Sequence, residues 1–364
     1  MPRYIISGGG TGGHIFPAIA IADAVKEKHP DAEILFVGAN GRMEMERVPK
    51  AGYKIVGLDI MGIQRRLTLK NLLVPFKLIA SLLKARKIIK EFRPDAAVGV
   101  GGYASGPLLR VASWMGIPTL LQEQNSYPGI TNKLLAKKAD SICVAYDGMD
   151  RFFDKGKLTL SGNPVRKDVV EIAGKKEEAL SYFKLRNDRP ILLIIGGSLG
   201  ARSINNAIRS AIPSLVKNEV QVVWQTGKFY YDEMKNSVSE QDAEWIHPMQ
   251  FIDRMDLAYA AADFILSRAG ALSISELCLI GKPSILVPSP NVSEDHQTKN
   301  AMALVSKDAA ILIKDTEVDA ELFAVLEKLM NNAEQQAELS KNILSLGHPD
   351  ARSVIVSELE RITK

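Results

Sequence analysis

Short runs of apolar residues recur along this 364-residue chain, and the segments between them carry apolar positions at helical spacing. In the first half the runs fall at 4–6, 34–37, 96–100, 119–122 and 141–145, with helical patterns such as 17–28 between them. That alternation predicts a parallel sheet covered by helices on both faces. Around 160–164, Leu-Ser-Gly-Asn-Pro, the pattern breaks into turn residues, which marks a domain boundary. The second half restarts in the same style, with a strand at 191–195, a glycine loop at 196–200, a helix from Ala201, and further strands at 220–224, 264–267 and 284–287. The expected architecture is α/β, with two Rossmann-like parallel-sheet domains facing a cleft, residues 1–163 plus 347–364 and residues 164–346. The last helix, roughly 351–362, follows a Gly347-His348-Pro349 break and is expected to cross back over the first domain.

The stretch YIISGGGTGGHIFP, residues 4–17, reads as strand, glycine loop and a helix starting at Pro17. Gly8, Gly9, Gly10, Gly12 and Gly13 allow positive φ and close approach to a ligand, while the following helix offers free N–H groups to an anion or a sugar oxygen. The plainer reading of the same glycines is a tight turn packing strand on helix. Gly8-x-Gly10-x-x-Gly13 has the spacing of a dinucleotide turn. Such a site wants an acidic residue at the end of the second strand, where this chain has Gly38-Ala39-Asn40-Gly41-Arg42. Two further glycine loops, at 99–107 and 196–200, point to phosphorylated ligands meeting in one cleft. None contains Gly-Lys-Ser/Thr, which argues against a nucleoside triphosphatase, and no Asp-x-Asp is present to hold a divalent metal on a diphosphate. The charge of a leaving diphosphate then falls to helix N-termini, Ser198, Arg268 and Arg166.

Composition is that of an ordinary globular protein, 46% hydrophobic and 24% charged with a net charge of +4. No apolar run approaches the roughly 20 residues of a membrane span. Cys143 and Cys278 stand apart without a metal-binding or disulfide pattern, which fits a reducing cytosol. Charge is uneven, however, with eight basic residues and no acidic one over 62–90. Lys70, Lys77 and Lys84 recur on one side of a helical wheel and Leu72, Phe76, Ile79 and Leu83 on the other, with Arg65, Arg66, Arg86, Lys87 and Lys90 adding charge. Either the apolar stripe packs on the sheet and the lysines are merely solvated, or this cationic helix, kinked or started by Pro75, docks on an anionic membrane surface.

The motifs GGGTGGHIFPA, GVGGYASGP, QEQNSYPGITNK, SGNPVR, GGSLGA, SRAGALSISE and EDHQTKNA, in this order along nearly the whole chain, resemble the bacterial MurG family of peptidoglycan glycosyltransferases. The resemblance implies a two-domain glycosyltransferase-B (GT-B) fold with no cofactor and no bound metal. It also implies inverting transfer of N-acetylglucosamine from UDP-GlcNAc to the 4-hydroxyl of the muramic acid in undecaprenyl-linked lipid I, giving lipid II at the cytoplasmic face of the membrane. It places Thr11, Gly12, Gly13 and Asn125 at the donor sugar, Arg166, Ser198 and Arg268 at the nucleotide and diphosphate, and the main chain of Ile252 at the uracil. Ala271, Leu272, Ser273, Ile274, Ser275 and Glu276 would open a helix against the donor, Glu276 on the ribose and Gln297 on the sugar. The acceptor falls to Gly101, Gly102, Tyr103 and Ser105. A base must take the acceptor's proton, for which His14 is the first choice and Glu123 the second.

Plainer readings stand beside these. Ser273-x-x-Glu276 is also a helix capping box, Arg166 a surface charge, and His29 and His348 read as solvent-exposed and idle. Where the family often has His-Glu-Gln-Asn, this chain has Gln122-Glu123-Gln124-Asn125, so any acceptor role of that histidine is absent or passes to Glu123 or Gln122. The rival functions are a sugar-nucleotide epimerase on the same fold, a nicotinamide dehydrogenase and a non-catalytic nucleotide-sugar sensor; no feature points to nucleic acid.

Overall fold

The computed structural model describes residues 1–60 and 74–364. Two compact units emerge, Met1–Val165 with His348–Lys364, and Arg166–Gly347. In the first, strands β1 (Arg3–Gly8), β2 (Glu33–Ala39), β3 (Lys54–Leu58), β4 (Ala96–Gly101), β5 (Thr119–Glu123), β6 (Ser141–Val144) and β7 (Leu158–Leu160) form one parallel sheet in the order β3-β2-β1-β4-β5-β6-β7. Helices α1 (Gly12–Lys28), α2 (Glu44–Lys50), α3 (Val74–Phe92), α4 (Ser105–Trp114) and α5 (Ile130–Ala136) supply its crossovers. The second unit holds β8 (Ile191–Ile195), β9 (Gln221–Gln225), β10 (Ile246–Met249), β11 (Phe264–Ser267), β12 (Ser284–Leu286) and β13 (Ile311–Leu312), in the order β10-β9-β8-β11-β12-β13. Its helices are α6 (Lys167–Val170), α7 (Lys176–Phe183), α8 (Arg202–Lys217), α9 (Tyr231–Asn236), α10 (Met255–Ala261), α11 (Ala271–Ile280), α12 (His296–Val305), α13 (Val318–Met330) and α14 (Ala333–Ser345). Counted within its own unit, the second sheet runs 3-2-1-4-5-6 and the first runs the same with a seventh strand at its end, the doubly wound order in which ligands gather beyond the carboxyl ends of the central strands.

The apolar runs read from the sequence are the strands buried on both faces; β4, β5, β6 and β8 are buried throughout. Four strands lack such a run, namely β3, β7, β10 and β13, and all lie at sheet edges. An edge strand has one solvated flank, so it tolerates Lys54 in β3 and Pro248 in β10, whose missing N–H costs nothing where no partner strand follows. The first helix starts at Gly12 rather than at Pro17, with Thr11 extended at its N-cap and Pro17 inside. Proline lacks the N–H that would bond the carbonyl four residues back, so Gly13 is left without its usual helical donor.

The last helix, α15 (Ala351–Thr363), packs on α1 in the first unit, sending Ile355, Val356 and Leu359 into the core of Ile15, Ala18, Val98 and Leu120. Polar clasps fasten it: Glu358 accepts from Ser141 at 2.8 Å, and Arg352 donates to Glu27 at 2.7 Å. His29 is not idle, since its Nε2 meets Glu360 at 2.7 Å. Nor is His348, whose side chain lies so close to Gly162 that a Cβ there would collide with it.

Among the described residues no helix is long and apolar enough to cross a membrane. Helix α3 buries Ser81, Ala85, Ile88 and Ile89 and turns Phe76, Ile79 and Leu83 outward, at 72%, 57% and 64% exposure. The apolar stripe is therefore not packed on the sheet. Pro75 lies at the start of the described part of the helix. Arg65, Arg66, Lys70 and Leu72 lie outside the described residues.

The C-terminal helix should be essential to the first unit although 182 residues of the second separate them in sequence. Ile355→Ala, at a fully buried position, is expected to cost about 2–4 kcal/mol, read as a fall in denaturation midpoint.

Candidate functional site

In the first unit the ends of β1, β4 and β5 bring His14, the 101–103 loop and Glu123 to one edge of the sheet. His14 sits in the first turn of α1 with Nδ1 3.1 Å from the Gly9 carbonyl and 3.4 Å from Thr11 Oγ1. A carbonyl only accepts, so Nδ1 carries the ring proton and Nε2 is the free base. Burial pulls the pKa of this imidazole below its ordinary 6.5, against the opposing pull of Glu123, the Gly9 carbonyl and Glu44. The ring lies close against Gly101, where a Cβ would stand 2.8 Å from Cδ2 and 2.9 Å from Nε2. Gly102 approaches Gly9 main chain to main chain, leaving no room for any side chain. Tyr103 beside them is half-exposed. Ser105 is not, for its hydroxyl is buried between the carbonyls of Ser7 at 2.9 Å and Gly101 at 2.8 Å, where it ties β1 to β4 instead of facing a ligand.

Glu123, the second choice as base, is buried and fully engaged. Its carboxylate accepts from the Asn125 N–H at 3.0 Å, Asn125 Nδ2 at 3.2 Å, the Gly129 N–H at 3.1 Å and Asn132 Nδ2 at 2.8 Å. It organises the 124–129 loop and keeps Asn125 on it. Gln122, at the position of the family's histidine, is completely buried and donates to Asn163 at 2.9 Å, beneath that loop rather than at its surface.

A residue the sequence did not single out lies under the first glycine loop. Glu44 in α2 is 1% exposed, and its carboxylate accepts from the Gly10 N–H at 2.9 Å and the Ala39 N–H at 3.0 Å. A side chain on Gly9 would overlap this carboxylate, and one on Gly38 would stand 2.6 Å from Glu44 Cγ. Its only signal in the sequence is an acid shortly after the second strand. That is near where a dinucleotide site keeps one, but here it is turned onto the loop and unavailable to a ribose.

In the second unit the carboxyl ends of β8 and β11 carry Ser198, exposed in its loop, and Arg268. Arg268 is not free to meet a diphosphate. It pairs with Asp315, donates to the Val287 carbonyl at 3.0 Å and to Ser203 Oγ at 2.9 Å, and so clamps three loops together. Arg166 is different: half-exposed, and 3.8 Å from Asp168.

Gly270 caps α11, so Ser273 is its third residue and Glu276 its sixth, and the capping-box reading fails. The cap residue has no side chain to bond this N-terminus, and no acid occupies its first turn. Ile274 is buried in the core, and the Ser275 hydroxyl bonds back to the Ala271 carbonyl at 3.0 Å, so neither of those side chains points outward. Glu276 accepts from Tyr259 OH at 2.7 Å. Burial pushes its carboxyl up to about 7, the Tyr259 hydroxyl and Arg166 pulling it down and Asp168 up. The Ile252 N–H is engaged within the protein, donating to Gln225 Oε1 at 3.1 Å. Gln297 Oε1 accepts from the Ser289 N–H at 2.8 Å, with its Nε2 amide not used in that contact. Just before it Glu294 and Asp295 both take left-handed φ, 55° and 53°, at about 1–2 kcal/mol each.

The raised Glu276 pKa has a consequence for stability. The folded protein binds a proton there that the unfolded chain releases, so the contribution is full below about 4.5 and is lost as pH rises through about 7. Glu276→Gln retains an acceptor for Tyr259 and removes the titration. The melting temperature of the unliganded parent relative to this variant is expected to fall across that pH interval.

The chain matches the glycosyltransferase family 28 N-terminal domain over residues 4–144 and the C-terminal domain of the same family over 191–355. It is 53% identical over 362 residues to the UDP-N-acetylglucosamine--N-acetylmuramyl-(pentapeptide) pyrophosphoryl-undecaprenol N-acetylglucosamine transferase of Flavobacterium psychrophilum, covering 100% of this chain and 98% of that one. Its likeness of the same name from Phocaeicola vulgatus is 56% identical over 361 residues, with 99% and 96% covered. The crystal structure of Acinetobacter baumannii MurG superimposes with a TM-score of 0.80 at 27% identity, covering 99% of this chain and 100% of that one. With its two parallel α/β sheets, its glycine loops and full-length identity of this order, the chain belongs to the MurG family of glycosyltransferase family 28.

Proposed function

We propose that this protein transfers N-acetylglucosamine from UDP-GlcNAc to the 4-hydroxyl of the muramic acid in lipid I, forming lipid II with inversion. Identity above 50% along the whole chain to relatives bearing that activity in their names carries the reading. An epimerase or a non-catalytic sensor is the poorer fit to those relatives, and the diversion of Glu44 weighs against a dehydrogenase. Incubation with UDP-GlcNAc and a lipid I analogue should release UDP and yield a disaccharide product; release without a disaccharide, or neither, would refute it.

The residues divide the work as follows. His14 Nε2 takes the proton of the attacking hydroxyl; its low pKa keeps it unprotonated at neutral pH. Glu123, already holding four donors, shapes the loop that offers Asn125 to the sugar. Thr11, Gly12 and Gly13 line the same sugar, and Gly101, Gly102 and Tyr103 receive the acceptor. On the leaving side, diphosphate charge is met by Arg166, Ser198 and the N-terminal end of α11, with Arg268 holding their loops in place. The Ile252 carbonyl reads the uracil N–H, Glu276 binds the ribose hydroxyls and the Gln297 amide donates to the sugar.

A lipid-linked acceptor obliges the enzyme to work at a membrane surface, and α3 suits one. Phe76, Ile79 and Leu83 stand exposed with Lys77 and Lys84 on the same helix, and Trp114 of α4 is 67% exposed. Each basic residue near an anionic surface is worth about 1 kcal/mol, so a few engaged together hold a peripheral protein at the cytoplasmic face.

Two outcomes are expected. His14→Ala should lower kcat by about 10²–10⁴ while the donor KM stays within a few-fold, since a base acts chiefly in the transition state; near-normal turnover would remove His14 from the mechanism. Sedimentation with vesicles should require anionic lipid, weaken with salt, and weaken in a Lys77→Glu, Lys84→Glu variant that still turns over a water-soluble acceptor. Equal binding to neutral and anionic vesicles would refute docking through α3.

A further inference from the structure

We propose that Glu44 is a positioning residue for the transfer reaction, setting the orientation and tautomer of His14 through the main chain of Gly9 and Gly10. The inference rests on His14 being the base, and deepens that reading. Glu44 never faces a ligand, for it is 1% exposed and its two oxygens are taken by the Gly10 and Ala39 N–H groups. An ionised carboxylate between two amides makes strong, directional bonds, and here they fix the peptide immediately after Gly9. The Gly9 carbonyl in turn accepts from His14 Nδ1 at 3.1 Å. If the loop turned, that carbonyl would leave the ring, Thr11 Oγ1 at 3.4 Å would become the partner, and a hydroxyl can donate to Nδ1 as readily as accept from it. The proton would then be free to move to Nε2, the atom that has to be unprotonated. Gly9 and Gly38 lack side chains where Glu44 passes, so the two glycines and the carboxylate form one device.

There is an electrostatic side as well. The groups facing His14 are Glu123 from β5, Glu44 from α2, the Gly9 carbonyl and Thr11 hydroxyl from its own loop, and the Gly101 main chain from β4. Both carboxylates favour the imidazolium that forms as the base accepts its proton, so neutralising Glu44 weakens the base and moves its titration to lower pH.

Glu44→Gln has nearly the same shape, but its amide nitrogen must face one of the two N–H donors. It should lower kcat about 10- to 100-fold with little change in donor KM. The acid limb of the kcat profile should move to lower pH, while Glu46→Gln, on the exposed part of the same helix, should change neither. Glu44→Asp, keeping the charge, should restore the position of the limb. If Glu44→Gln turns over within about two-fold of the parent with the limb unmoved, while His14→Ala is crippled, this inference fails and the base assignment stands. If His14→Ala is itself active, the base assignment fails. A loss in Glu44→Gln that only follows its unfolded fraction, measured by melting in the assay buffer, would make Glu44 a folding residue and overturn the inference.

Discussion

The first unit is organised by how closely two loops of main chain approach each other. Gly102 lies against the Gly9 peptide, Gly101 against the His14 ring and Gly8 against the His14 carbonyl, and at none of these would a Cβ fit. The β1–α1 loop and the end of β4 can therefore meet backbone to backbone, which sets a single imidazole at the carboxyl edge of the sheet. Ser105 fixes the same junction from below, bridging the carbonyls of Ser7 and Gly101. The position of His14 depends on this contact, because a Cβ at Gly8 or Gly101 would collide with the histidine itself and one at Gly102 with the Gly9 peptide.

Within each unit much of the charge near the strand ends is neutralised inside the protein. Glu44 and Glu123 are satisfied by amides, and Arg268 by Asp315 and carbonyl oxygens. Buried charges spent in this way hold loops in shape at the cost of being unavailable to substrate. Other groups are tuned rather than paired off: burial holds His14 below its ordinary pKa and raises Glu276 to about 7, and Arg166 stands half-exposed near Asp168. In the proposed reaction they serve respectively as the base, a hydrogen-bonding partner for the donor and a cation for the diphosphate.

Much of this was legible in the sequence, and what was not has a physical reason. The central strands were clear because burial on both faces demands unbroken apolar runs, whereas β3, β7, β10 and β13 escaped because an edge demands less. The glycine loops and His14 were plain from spacing. The start of α1 was misplaced by five residues because Pro17 looks like a helix start and here lies inside one. Arg268 was recognisable as a cation, but its partner Asp315 is 47 residues away, and nothing in either segment announces the pair. The Ser273-Glu276 spacing imitates a cap only if the helix starts at Ser273; the extended Gly270 moves the start upstream. Glu44 was invisible because a buried acid in a short helix resembles a solvated one until its donors are seen. The amphipathic α3 was ambiguous for a deeper reason, since periodicity gives the two faces without saying which is outward; exposure of Phe76, Ile79 and Leu83 decides that.

The proposed transfer turns on the state of one ring. A titration of His14 by nitrogen-15 and carbon-detected NMR, assigned by its loss in His14→Ala, reads both its pKa and its tautomer. The predicted result is a neutral imidazole protonated at Nδ1 at pH 7, with a midpoint below the ordinary 6.5. A midpoint above that value, or a neutral form carrying its proton on Nε2, would contradict the account.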